Sequence, residues 1–176
     1  MADSPQPKTT PAAVVAALRV RIQQVLGFPP ERVLPDASGA DTGDPFPAPA
    51  EQFVLLRLGD GRAEPGAFGG AGRQAPLFRQ EVLCTLWTRL QVDDLSTDEG
   101  YLLHQTLGHL KFSHALWDAL WAFQPLDAGG SWLLTEPVLP ESYQPPRSGG
   151  EGHKGWGRST LRFTASFVLD LDLTYQ

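Results

Sequence analysis

The chain has 176 residues, with 14 Lys and Arg against 20 Asp and Glu, which gives a formal net charge of −6. This length suits one domain with its own core, and the acidic balance argues against a general nucleic-acid binder. The single cysteine, Cys84, excludes an internal disulfide and makes a reducing cytosol the simplest origin. With no signal-peptide pattern and no apolar run near the ~20 residues of a spanning helix, we expect a soluble protein.

The first predicted element is a helix over residues 11–26. Thr10 and Pro11 have the residue types of an N-cap and a first helical position, and Gly27 provides a stop. We predict a disordered tail over residues 1–10 and a single domain over residues 11–176. The Pro-rich connection that follows the helix contains one short candidate strand at residues 32–34.

Two strands joined by a glycine-rich segment come next. Residues 53–58 are mostly apolar, and residues 80–92 place apolar side chains mainly at even positions. The segment between them, residues 59–76, contains six glycines and lacks the Lys of a phosphate-binding loop. We therefore predict a hairpin whose loop projects as an arm.

The second half begins with a capping box at residues 96–99, which predicts a helix that continues to about Phe123. Residues 132–139 are predicted to form an edge or bulged strand because Pro137 lies inside them. A Gly- and Pro-rich loop, the second predicted arm, covers residues 140–157. The alternation of apolar and polar residues over 160–176 predicts a final strand that is bent or reaches past its own subunit.

These elements predict an α+β fold. Its sheet is expected to be antiparallel or mixed and four-stranded, with helices on one face and long Gly- and Pro-rich loops.

No catalytic or metal-binding motif stands out. His104, His109 and His114 are five residues apart, whereas metal pairs on a helix need three or four, so packing or surface roles are the better interpretation. Cys84 lies on the predicted buried face of a strand and is interpreted as a core residue. We expect no catalytic residue, cofactor or metal site. Trp117 and Trp121 lie one helical turn apart, and they suit either the core or an interface anchor.

Charges and arms suggest candidate contacts between copies of the chain. Basic residues surround the second loop, and an acidic tip lies further along the final strand, as expected for head-to-tail neighbours in a ring; scattered surface charge is the alternative. The candidate interface residues are Arg62, Phe68, Arg73, Arg147, Lys154, Trp156, Arg158, Asp170 and Asp172.

In layout the chain resembles the tail terminator and tail completion proteins of long-tailed bacteriophages, of the lambda minor tail protein U type. The resemblance rests on the N-terminal helix before a Pro-rich segment, the strands FVLLRLG and EVLCTLWTRLQ, the helix after STDEG, and the final strand STLRFTASFVLDLDL. It covers most of residues 11–176 and contains no single diagnostic residue.

The resemblance implies a non-enzymatic virion protein, assembled in the host cytoplasm. Such a protein forms a ring, commonly of six copies, at the head-proximal end of the tail. The ring stops growth of the tail tube, joins the tube to head–neck connector proteins, and lets DNA pass without reading its sequence. Two alternatives remain open: another neck or injection-machine subunit, and a small ligand-binding or enzymatic α+β domain, which a deep pocket lined by His104, His109 or Asp93 would favour.

Overall fold

The computed structural model describes residues 9–36, 48, 50–68, 75–89, 108–148 and 156–169. Two helices and five strands follow one another in these ranges, so the α+β class is confirmed. In chain order they are α1 (Pro11–Leu26), a 3-10 turn (Pro30–Arg32), β1 (Val33–Asp36), β2 (Gln52–Phe68), β3 (Ala75–Arg89), α2 (His109–Leu120), β4 (Pro140–Ser148) and β5 (Trp156–Val168).

The strands form one mixed sheet in the order β1-β2-β3-β5-β4. Strand β1 runs parallel to β2, and every other pairing in the sheet is antiparallel. The prediction of four strands is corrected to five, because the short candidate strand at residues 32–34 is real and extends to Asp36.

The fourth strand lies where a loop was predicted. Residues 132–139, predicted as a strand, make only isolated bridges, whereas residues 140–148 pair with β5. Tertiary pairing overrides the unfavourable proline content here, because β4 is an edge strand and its register shifts between Gln144 and Arg147, where the prolines lie.

Helix α1 is confirmed at both ends. The Thr10 hydroxyl accepts a hydrogen bond from the Ala13 N–H at 3.2 Å, and Gly27 closes the helix with a left-handed φ of 65°. Helix α2 is described only from His109, and residues 90–107, with the predicted capping box, lie outside the described residues. Neither described helix has the length and apolarity that crossing a membrane requires.

The β2–β3 hairpin is confirmed, and it is longer than predicted. Strand β2 continues through residues 59–68, which were assigned to the arm, and β3 already begins at Ala75. Strand β5 likewise begins earlier than predicted and is followed to Val168, after which Leu169 forms an isolated bridge with Thr9. Residues 170–176 of the predicted strand lie outside the described residues.

One core lies between the helices and the sheet. Helix α1 contributes Val14, Leu18 and Ile22, and buried positions alternate with exposed or half-buried ones over residues 79–86 of β3 and 156–165 of β5, as strand geometry requires. Arg21 joins the two helices, because its Nε donates to the Ala119 carbonyl at 3.0 Å while its guanidinium lies 5.3 Å from the Phe123 ring centre.

Candidate functional site

An exposed aromatic cluster lies at the end of α2. Trp117 and Trp121 are one turn apart on the same helix face, and their rings stack with centroids 6.0 Å apart. Tyr143 of β4 meets Trp117 edge-on, with ring centroids 6.5 Å apart. Trp121 is nevertheless 54% exposed. The helix therefore ends in a stack of rings whose outermost member, Trp121, is about half uncovered by the described part of the chain.

The chain reversal after α2 enlarges this cluster. Ala122 adopts a positive φ of 54°, and its N–H donates to the Val138 carbonyl at 2.9 Å. This bond brings Leu139, 52% exposed, beside the end of the helix. We call Trp117, Trp121, Leu139 and Tyr143 the aromatic surface.

Two more large apolar side chains are exposed in the segment that follows α2. Leu126 and Trp132 face each other across an isolated bridge and are 51% and 53% exposed. Contiguous exposed apolar side chains of this size are typical of protein–protein interfaces. Sequence analysis singled out Trp117 and Trp121 but missed Leu139, Tyr143 and Trp132, because two of them fell in a predicted strand and the third in a predicted loop.

The aromatic surface borders β4, which is an edge strand in the described part of the chain. Among the described strands, β4 is the last in the sheet order, and the one strand it pairs with is β5. Its outer edge therefore offers backbone donors and acceptors to another chain, in the way that exposed edge strands do.

The predicted arm is an ordered hairpin at its base. The β2–β3 register shifts between Leu58 and Gly61, and the buried Gln80 side chain donates to the Gly59 carbonyl at 2.9 Å. Beyond this bulge, Arg62 is exposed opposite Arg79, whose Nε lies 3.3 Å from a carboxylate oxygen of Glu64. Bulges of this kind redirect the strands that follow them.

The remaining predicted interface residues do not form one surface among the described residues. Phe68 pairs with Ala75 through the backbone, and Arg147 is the register partner of Arg158. Arg73, Lys154, Asp170 and Asp172 lie outside the described residues, so the predicted contact between a basic end and an acidic tip stays a prediction.

Trp156 and Arg158 belong to a small second cluster on the sheet face away from the helices. Trp156 meets the fully buried Phe53 edge-on at 5.8 Å, and Phe53 stacks with Trp87 at 6.3 Å. The exposed Arg158 lies over Trp87, 5.9 Å from its ring centre. Trp156 is half-buried, and its ring covers part of Phe53.

His109, the first residue of α2, is fully buried. Its Nδ1 lies 3.0 Å from the Thr88 hydroxyl of β3, and its Nε2 lies 3.0 Å from the Ser159 hydroxyl of β5. Burial lowers the pKa of His109 from 6.5 to about 4, so the ring is neutral near pH 7. In the neutral ring one nitrogen donates and the other accepts, and hydroxyl groups can serve both. Through these two hydrogen bonds, His109 links the start of α2 to strands β3 and β5.

Cysteine and the other histidines were also considered as candidate site residues. Cys84 is fully buried in the core, as predicted, and burial raises the pKa of its thiol. His114 is exposed, whereas His104 and His153 lie outside the described residues. Among the described residues, no three His, Cys, Asp or Glu side chains come close enough together to hold a metal ion.

An apolar groove lies on the other side of the molecule, between α1 and the β1–β2 edge. It has a volume of about 810 Å³ and is lined by Ala12, Val15, Ala16, Arg19, Val20, Gln23, Pro30, Pro35, Leu56 and Leu58. Val20 and Leu58 are 49% and 40% exposed, so the groove is open. Among the described lining residues, Arg19 is the one that carries a charge. Of the three residues that would favour an enzymatic pocket, His109 does not line this groove, and His104 and Asp93 lie outside the described residues.

No protein-family model and no curated protein sequence matches this chain. One solved structure that is similar to it belongs to the virion of a native gene transfer agent (GTA) particle. That similarity has a TM-score of 0.47 and 12% sequence identity, and it covers 91% of this chain and 99% of that chain. A likeness of this size carries no argument about function.

Proposed function

We propose that this chain is a structural protein of a phage-like virion, and that it works by binding other subunits without catalysing a reaction. The observation that carries the assembly role is the aromatic surface beside β4, the edge strand of the described sheet. Trp121 and Leu139 are each about half exposed. Burying such side chains against a partner would remove apolar area from water and provide the anchors that protein interfaces use.

The particular role we propose is a ring at the head-proximal end of a tail. The ring would end growth of the tail tube and join it to head–neck connector proteins, with DNA passing through the lumen. This proposal comes from the layout resemblance, and the order of α1, the β2–β3 hairpin, α2 and β5 is compatible with it. A net charge of −6 is compatible with a lumen that repels phosphate.

Another neck or injection-machine subunit is the second candidate, because such a protein would use the same kind of surface. Partner identity separates the two. A terminator stops growth of purified tail-tube protein when it is added to a polymerising sample, whereas a tube-like subunit joins the polymer.

The first test is the solution mass by light scattering over a concentration series, with electron microscopy of the largest species. We expect a discrete species of about six copies of the 19.2 kDa chain, in equilibrium with monomer. The variant Trp121→Ser/Leu139→Ser should stay folded and lose this species. Val25→Lys is the matched control, because Val25 is 39% exposed on α1 and lies outside both the aromatic surface and the groove.

A strict monomer at every concentration would overturn the self-assembling ring. Normal assembly of the Trp121→Ser/Leu139→Ser variant would remove the aromatic surface from the proposal.

A further inference from the structure

The sheet places two different apolar surfaces at its opposite edges. The aromatic surface borders β4, the last strand on one side, and the apolar groove borders β1, the last strand on the other side. One surface presents protruding rings, whereas the other is a concave trough. Two different complementary surfaces on one chain are what a head-to-tail contact requires, because a two-fold contact pairs a surface with itself.

We propose that the groove between α1 and the β1–β2 edge receives the aromatic surface of a second copy of this chain. The inference rests on the proposed ring, and it names the surface that meets the aromatic one. Trp121 would enter the groove, and Leu139 would pack at its rim against Val20 and Leu58.

The size and lining of the groove fit this occupant. Ligand pockets of about 300–1,000 Å³ enclose most of a drug-sized molecule, and the volume of about 810 Å³ leaves room for Trp121 together with Leu139. The lining is mainly apolar, with Val15, Val20 and Leu58 among its larger side chains. An indole ring and a leucine side chain need such an environment to be removed from water favourably.

The one cation of the groove adds a preference for an aromatic guest. Arg19 is anchored by a 2.8 Å hydrogen bond from Nη2 to the Pro30 carbonyl, and its buried Nε has no hydrogen-bond acceptor among the described residues. A guanidinium held in this way offers a flat cationic face on which an indole ring can stack. None of the described residues that line the groove is acidic, so none competes for that face.

The contact repeats from copy to copy, because each chain contributes its aromatic surface to one neighbour and its groove to the other. Such an association closes into a ring when the rotation per copy divides a full turn. It therefore provides a ring-forming contact that uses described residues at both sides.

A mixing experiment with two full-length variants tests the inference. Trp121→Ser/Leu139→Ser removes the aromatic surface but keeps the groove. Val20→Lys places an ammonium group in the groove but keeps the aromatic surface. Each variant alone should be monomeric, with the apparent dissociation constant raised by about tenfold or more. Mixed in equal amounts, they should form a heterodimer and nothing larger, because one intact contact remains between them.

Leu58→Lys places the same charge in the groove from β2. If both variants lose assembly, the loss cannot be attributed to a folding defect in α1 alone. Val25→Lys introduces the same charge on α1 outside the groove and should assemble normally. Circular dichroism and thermal unfolding confirm that each variant is folded.

The outcomes separate this inference from the proposed function. If Val20→Lys and Leu58→Lys both assemble normally while the aromatic variant does not, the ring stands and the groove is not its acceptor. A mixture that stays monomeric also overturns the inference, because head-to-tail contacts must complement. If the unmodified chain is itself monomeric, the proposed ring fails. The contact between the groove and the aromatic surface is then tested by measuring whether tagged Val20→Lys binds the aromatic variant at high concentration. Absence of that binding overturns the inference as well.

Discussion

Acid should destabilise this protein through His109, and the variant His109→Gln should lose that part of the pH dependence. The ring is buried and neutral, with a pKa lowered from 6.5 to about 4. Protonation leaves both ring nitrogens as donors, and the hydroxyls of Thr88 and Ser159 can accept from both. The cost of protonation is therefore mainly the desolvation of the imidazolium.

The direction of the effect follows from which state binds the proton first. Between pH 6.5 and pH 4 the unfolded chain carries a proton on this histidine and the folded chain does not, so lowering the pH favours unfolding. Stabilisation of the neutral form is complete above pH 6.5 and is lost as the pH falls toward 4. The two pKa values correspond to a loss of about 2 kcal/mol between pH 7 and pH 5, and about 3 kcal/mol below pH 4.

The assay is urea unfolding at pH 7, 6 and 5, with the free energy of unfolding compared between the unmodified chain and each variant. His114→Gln is the matched control, because His114 is exposed on the same helix. We expect the control to follow the unmodified chain and His109→Gln to have a flatter profile by about 2 kcal/mol across this range. Parallel profiles for His109→Gln and the unmodified chain would refute the reasoning.

Two further predictions concern packing. Leu120→Ala should lower the free energy of unfolding by about 2–5 kcal/mol because Leu120 is fully buried, whereas its half-exposed neighbour Trp121→Ala should change it by less than about 1 kcal/mol. Similar losses for both in denaturant titrations would contradict the assignment of Trp121 to the surface. Gly61→Ala should cost about 1–3 kcal/mol, because the added Cβ would lie 2.5 Å from Cζ of Phe78, whose ring packs against Phe167. An unchanged thermal midpoint for Gly61→Ala would show that the hairpin base can adjust.

Local signals in the sequence were sufficient for the elements whose ends are set locally. The side chain of Thr10 caps α1, and Gly27 takes the left-handed conformation that ends it, both as predicted. The β2–β3 hairpin was also predictable, because its two strands are joined by one connection and need no distant partner. Alternation identified the start of β5 within four residues, since one face of that strand packs on the core.

The elements that sequence analysis missed depend on distant partners. Strand β4 contains a run of prolines, and it becomes a strand only because β5 provides a ladder at the sheet edge. The parallel direction of β1 is a property of the sheet and leaves no local signal. The candidate site followed the same rule. Trp121 stood out by spacing, but Tyr143 and Leu139 join it through the tertiary contacts of β4 and the bond between Ala122 and Val138.

Strand β5 lies between β3 and β4 in the sheet, although α2 and β4 both precede it in the chain. During synthesis, β3 therefore leaves the ribosome with one edge unpaired, and β4 has no ladder to join until β5 follows it. The central pairing is also distant in sequence, which slows folding. Partly synthesised chains would expose that edge and the apolar positions of β3, as aggregation-prone intermediates do. A fragment that stops before Trp156 should accordingly be recovered as aggregate, because it lacks the strand that joins the two halves of the sheet.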